Sequence, residues 1–217
     1  MDFGLDPETL RNGLLLYIVL IGSLCIHEWA HAITADKLGD YTPASEGRVT
    51  LNPVAHMDLM GSVILPLLFI FVFPVGMLFG WGKPVRINPS NFTHRKRDEL
   101  LTTIAGPGSN IILALLAAIL GGLLYRFEPR TTELFGMVIR INVLLAVFNM
   151  IPLPPLDGGQ VMRHMTNMSE ETFYNISRWS FFIILIAINI PAFRMLLGAV
   201  MAVVSWPMMM IYSALAG

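Results

Sequence analysis

Charge and cysteine are what this sequence has least of. Only 13% of its 217 residues are Asp, Glu, Lys or Arg, roughly half the share of a typical soluble domain. The formal net charge is −1, so nothing argues for a nucleic-acid partner, which would need a basic surface. The single cysteine, Cys25, sits inside an apolar run. That excludes a disulfide framework and a cysteine-based metal site, and leaves a small helix-packing residue. A basic leader is missing as well: Met1–Glu8 carries Asp2, Asp6 and Glu8, so the first apolar run is not expected to be a cleaved signal peptide. There is no Gly/Ser linker, low-complexity tract or soluble appendage.

Hydrophobic residues fill the space, at 55%. Apolar helical segments read at Leu10–Ala35, Leu100–Tyr125, Glu133–Ile151, Phe173–Ile190 and Met195–Ala216, each long enough to cross about 30 Å at about 1.5 Å per residue. A further run, Met60–Gly80, is broken by Pro66 and Pro74. Two short stretches have strand character, Gly47–Asn52 and Pro84–Asn88. Both end in Asn-Pro, where the residue before proline is pushed toward extended backbone. The expected fold is therefore an all-α polytopic membrane protein, a single domain over 1–217. It has about five spanning helices, one re-entrant apolar hairpin and a small membrane-associated β element. The core covers about 10–165, with accessory helices at about 173–216.

Three ionisable side chains stand within five residues of the first apolar run: His27-Glu28-Trp29-Ala30-His31. On a helix, positions four apart share a face, so both imidazoles can reach one ion. Glu28 can then stand beside the open coordination position as general base toward an activated water. A charge near mid-bilayer costs about 2.5–3.5 kcal/mol on insertion scales, and a bound metal compensates it. The bland alternative is a helix-end cluster that snorkels to the interface.

Catalytic zinc usually takes three protein ligands plus water, so a third is needed. Asp157 is the candidate. It follows Pro152, Pro154 and Pro155, which interrupt an apolar helix, and it precedes Gly158 and Gly159. Irregular backbone at membrane depth is tolerated where it is buried in protein or lines a cavity. An ordinary helix-ending turn with an exposed Asp is the competing possibility. His56, in Leu51-Asn-Pro-Val-Ala-His56-Met-Asp58, either lines the site or caps the strand region, and Asp58 is placed to orient it. His94, in the basic stretch Thr93–Arg97, and His164 read as outside the site.

Taken together, H-E-x-x-H in an early helix and Asn149-x-x-Pro-x-Pro-Pro-Leu-Asp157-Gly in a later one resemble the site-2 protease family of intramembrane zinc metalloproteases. The stretches Leu51–Asp58, Gly80-Trp-Gly-Lys-Pro-Val and Ala105-Gly-Pro-Gly-Ser-Asn110 look like its compact prokaryotic branch, without PDZ or CBS modules. Leu59 departs from the proline common there. The resemblance implies one Zn²⁺ per chain held by His27, His31 and Asp157, with Glu28 as catalytic base and Asn149 holding substrate or oxyanion. It also implies a transmembrane protein or peptide substrate and a prokaryotic cytoplasmic membrane, with the active site nearer the cytoplasmic face. A membrane metal-ion transporter using the same ligands is the alternative, since transporters also break helices near the midplane. No inverted repeat of the motif is present to favour it.

For ligands on two helices to share a depth, those helices must run in the same direction. Met60–Gly80 must then enter and return on one side, turning at Pro66 or Pro74. Lys37, Arg48, Lys83, Arg86, Arg95, Lys96, Arg97 and Arg163 would then lie inside, in keeping with the positive-inside rule. The residues specify neither a substrate sequence nor an oligomeric state.

Overall fold

A computed structural model describes residues 7–71 and 80–217. The described residues are mostly helical: α1 (Pro7–Lys37), the single turn α2 (Thr42–Ser45), a π-helical turn (Leu59–Ile64) running into α3 (Leu65–Phe71), α4 (Arg95–Tyr125), α5 (Thr131–Asn149), α6 (Asp157–Thr166), α7 (Glu170–Asn189) and α8 (Pro191–Ala216). Among the described residues, four helices are long and apolar enough to cross a membrane: α1, α4, α5 and α8. The expected fifth, Phe173–Ile190, falls within α7, whose first half carries Tyr174, Asn175, Ser177 and Arg178. That polarity keeps it below the other four.

Helix α4 is the centre, packing on α1, α5, α6 and α8. Ala114, Ala117 and Ala118 of α4 meet Ile139 and Val143 of α5 and Met208 of α8 in one buried cluster. A second cluster joins Leu20 and Leu24 of α1 to Ile141 of α5. Small residues let backbones approach where lipid offers apolar side chains no hydrophobic gain from pairing. Gly121 marks a close approach of α4 to α5 and α8: a Cβ there would stand 2.7 Å from Phe135 and 2.8 Å from Tyr212. Large apolar side chains such as Ile18, Ile112, Leu120, Leu196 and Val203 face outward, as a lipid-facing surface requires.

Contacts at one end fix the relative directions. Arg11 at the start of α1 lies 3.7 Å from Glu133 at the start of α5. Near the end of α8, the Tyr212 hydroxyl reaches Thr132 Oγ1 at 3.0 Å. Arg126, just after α4, donates to the Leu215 carbonyl at 3.0 Å. Thus α1 and α5 run parallel, with α4 and α8 opposed to them. The shared-depth requirement is met.

The β element does not form. Among the described residues there is no strand, only an isolated antiparallel bridge between Met57 and Gly82. Backbone groups in and beside the two stretches are taken by side chains instead. Asn52 and Asn88 each cap a short 3-10 turn that begins at the following proline. Arg48 donates to the Ala55 and Lys83 carbonyls. Asp40, fully buried, accepts from the Asn88 N–H at 2.7 Å and from Asn91 Nδ2 at 2.7 Å.

The two ends of the Met60–Gly80 run lie side by side. The Trp81 N–H donates to the Gly61 carbonyl at 3.0 Å, and Ser62 Oγ to the Trp81 carbonyl at 2.8 Å. Helix continues through Pro66, so the chain does not turn there. Pro74, the other turn expected, lies outside the described residues.

Candidate metal centre

Helix α1 carries His27 and His31 one turn apart on the face toward α4, both buried. Their Nε2 atoms stand 3.1 Å apart. Asp157, the first residue of α6, brings Oδ2 to 3.3 Å from His27 Nε2 and Oδ1 to 3.5 Å from His31 Nε2. These residues form a group whose ligand atoms all lie within 4.8 Å of one another.

Asp157 reaches this position because its turn is unusually close. A Cβ on Gly158 would stand 2.3 Å from the Met150 carbonyl oxygen, and one on Gly159 2.4 Å from Pro154 N. Only glycine lets the chain fold back on Met150–Pro154 in this way. Helix α6 is then tied to α4 by Arg163, which pairs with the buried Glu99. His164 also faces Glu99, at 3.4 Å, so it belongs to this tether and not to the site. His94 is exposed ahead of α4, where its N–H donates to Asp98.

The hydrogen bonds behind the ligands decide which ring nitrogens face the centre. His31 Nδ1 lies 2.7 Å from the Thr102 carbonyl, and His27 Nδ1 lies 2.7 Å from Asn110 Oδ1. Both oxygens can only accept, so each Nδ1 donates, which leaves Nε2 as the nitrogen of each ring that faces Asp157 and is available to ligate a metal. Asp157 Oδ2 is buried without a hydrogen-bond partner.

Lone pairs and a carboxylate converging at these spacings call for a cation. Tetrahedral zinc, with ligands at about 2.0–2.1 Å, sets its donor atoms about 3.3–3.4 Å apart, and the spacings here are 3.1, 3.3 and 3.5 Å. Gly106 of α4 keeps the position open. A Cβ there would stand 2.2 Å from His31 Nε2 and 2.7 Å from His27 Nε2. The residues fit the metal.

Glu28 faces the neighbouring segment. Its Oε2 accepts from the Val85 N–H at 3.2 Å, and Gly82 lies between its side chain and the His56 carbonyl. His56 is buried near Glu28, with Nε2 on the Thr50 carbonyl at 2.8 Å and Nδ1 unpartnered. Asp58 does not orient it. Its Oδ1 caps the π-helical turn instead, accepting from the Met60 and Gly61 N–H groups. Asn149, in the last turn of α5, donates to its own helix at the Leu145 carbonyl, 2.9 Å away.

Three side chains behind the ligands went without an assigned role in the sequence. Asn110 and Asn142 are fully buried and Ser23 nearly so, and together they support His27. Amides inside long apolar helices were the available signal.

The chain is 36% identical over 158 residues to YwhC of Bacillus subtilis (strain 168), a match covering 69% of this chain and 68% of that relative. Residues 126–188 match the family model of Peptidase family M50. The chain belongs to peptidase family M50. Rip2 of Mycolicibacterium smegmatis (strain ATCC 700084 / mc(2)155) is 31% identical over 175 residues, covering 78% of this chain and 64% of the relative. MJ0611 of Methanocaldococcus jannaschii is 31% identical over 156 residues, covering 69% and 70%. Each relative carries the words "zinc metalloprotease" in its name, and the chain spans about two thirds of the length of each. No solved structure matches it. The site-2 protease resemblance therefore holds at the level of family, and this M50 chain is a zinc metalloprotease with membrane-type helices. Hydrolysis displaces the transporter alternative.

Proposed function

We propose that this M50 protein hydrolyses peptide bonds in or near transmembrane segments, with Glu28 as general base. The observation that carries it is the His27–His31–Asp157 cluster, buried among helices of spanning length. An apolar groove of about 660 Å³ adds support. It runs between α4, the α5–α6 break and α8, lined by residues including Ile104, Pro107, Met150, Pro152 and Leu196. Its lining includes Pro107, next in the chain to Gly106 of the metal centre, and Met150–Pro152, just ahead of Asp157.

His27, His31 and Asp157 would hold the zinc, which would supply Lewis acidity toward the scissile carbonyl and the attacking water. Glu28 accepts a proton from that water and returns it to the leaving amine. A helical substrate must first unwind, because its carbonyls are engaged in hydrogen bonds. Gly47–Asn52 and Pro84–Asn88, which form no strand among the described residues, are the segments assigned to holding the unwound stretch by strand addition. Asn149 is assigned to the substrate or oxyanion side on the family resemblance.

The side-by-side ends of Met60–Gly80 support a re-entrant hairpin, and the positive-inside bias supports an active site nearer the cytoplasmic face of a prokaryotic membrane. The test compares wild type, Glu28→Gln and Asp157→Asn for zinc content and for cleavage of a model membrane substrate in detergent. Glu28→Gln keeps zinc and loses cleavage; Asp157→Asn loses both. Cleavage by Glu28→Gln at the wild-type rate would remove Glu28 from the mechanism.

A further inference from the structure

We propose that Asn110 is a positioning residue that commits His27 to the tautomer with its Nε2 lone pair toward the metal, and that Asn142 and Ser23 commit Asn110 in turn. The proposal rests on the zinc-site assignment above. An amide is ambiguous by shape, since its oxygen and nitrogen can exchange places. Here the surroundings leave one arrangement. Asn142 Nδ2 lies 2.9 Å from the Val138 carbonyl, which can only accept. Asn142 must then present Oδ1 to Asn110, whose Nδ2 meets it at 2.9 Å. The Ser23 carbonyl agrees, and its hydroxyl, able to accept, is compatible. The carbonyl lies 3.4 Å from Asn110 Nδ2, and the Oγ lies 3.0 Å from Asn142 Nδ2.

With its nitrogen engaged, Asn110 has only Oδ1 left for His27 Nδ1, at 2.7 Å. The Nδ1 proton is thereby held. A lone pair at Nε2 follows, which is the form that ligates a metal.

The two histidines reach this state by different routes. His31 takes its acceptor from backbone, the Thr102 carbonyl, and no substitution can alter that oxygen's chemistry. His27 depends on amides from α4 and α5, both 0% exposed. An unpaired amide inside a lipid-embedded bundle is costly, so a group retained there with every polar atom spoken for is a built feature.

The experiment measures zinc retention by the purified full chain in detergent, as the chelator concentration that removes half the metal. Removing an outer-shell partner typically costs about 10- to 100-fold in metal affinity, and Asn110→Leu is expected to fall in that range. Asn110→Asp should lose clearly less zinc than Asn110→Leu, because a carboxylate oxygen holds the same Nδ1 proton even though its second oxygen meets Asn142 Oδ1 and the Ser23 carbonyl. Asn142→Leu should weaken zinc binding several-fold in the wild-type background, and not at all in the Asn110→Asp background, where nothing needs orienting.

A purely structural role for Asn142 would cost the same in both backgrounds. That result overturns the proposal, as does Asn110→Asp losing as much zinc as Asn110→Leu. If Asn110→Leu does not fold, the paired Asn142→Leu measurements decide alone. Zinc missing from the wild type, or kept by His31→Ala, overturns the site assignment and this proposal with it. Normal zinc dependence with no effect of the Asn variants overturns this proposal alone.

Discussion

Helices α4 and α8 use the same apolar residues to opposite ends. In the most apolar window of α4, 33% is buried inside the protein, against 11% for α8. Helix α4 lays small residues against its neighbours and turns Asn110, Gly106 and the Thr102 carbonyl toward α1. Helix α8 faces Leu196, Val203, Trp206 and Met210 outward. Polar groups divide the same way. The amide of Asn110 on α4 bonds across to α1 and α5, whereas Ser180 of α7 and Ser205 of α8 bond back to their own helices. In this bundle a fully buried amide that reaches other helices marks the working face; hydrophobicity alone does not.

A single methyl group gives the sharpest contrast. Gly106→Ala puts a Cβ 2.2 Å from His31 Nε2, in the space proposed for the ion, whereas a Cβ on Gly198 of α8 meets nothing within 4 Å. Gly106→Ala is expected to abolish zinc binding and cleavage, and Gly198→Ala to leave both unchanged. Metal analysis with a cleavage assay checks the pair.

Next in size is packing. Ile139, 2% exposed in the α4–α5–α8 cluster, should cost about 2–4 kcal/mol on truncation to alanine, as cavity-forming substitutions do.

Asp40 should show a smaller, pH-dependent effect. Burial opposes its ionisation, but hydrogen bonds from Thr42, Asn88 and Asn91 outweigh this and hold its carboxyl below the usual carboxylate range. With the folded value lower than the unfolded one, about 3.9, its stabilisation is complete above that pH. It is lost as pH falls through the folded value. Asp40→Ala is expected to cost about 1–3 kcal/mol at neutral pH. The gap to wild type should shrink as melts are repeated at progressively more acid pH.

Smallest of all should be Val203→Ala on the outward face of α8, within about 0.5 kcal/mol of wild type. An effect there as large as at Ile139 would break the inner–outer distinction.

Much of this was legible in the residues, for definite reasons. The helices at α1, α4, α5 and α8 show as runs too apolar and too long to be anything else, and His27, Glu28 and His31 show because ionisable groups in such a run need a partner. Strand propensity at Gly47–Asn52 and Pro84–Asn88 misled. Propensity describes what a segment tolerates, and here Asp40, Glu28 and His56 claimed backbone groups that pairing needed. Helix α6 was hidden because its glycines and short length look like a turn. The supporting role of Asn110 and Asn142 was hidden because a hydrogen bond between positions 32 apart leaves no local pattern.

Order along the chain determined by itself which atoms could hold zinc and that the protein needs lipid around it, since side-chain chemistry and run length are local properties. The tertiary structure alone decided that α1 and α5 run parallel, that Gly106 leaves the ion its room, and which imidazole nitrogen faces inward. Each of these depends on what a distant segment places within about 3 Å, and such proximity exists only once the helices have packed.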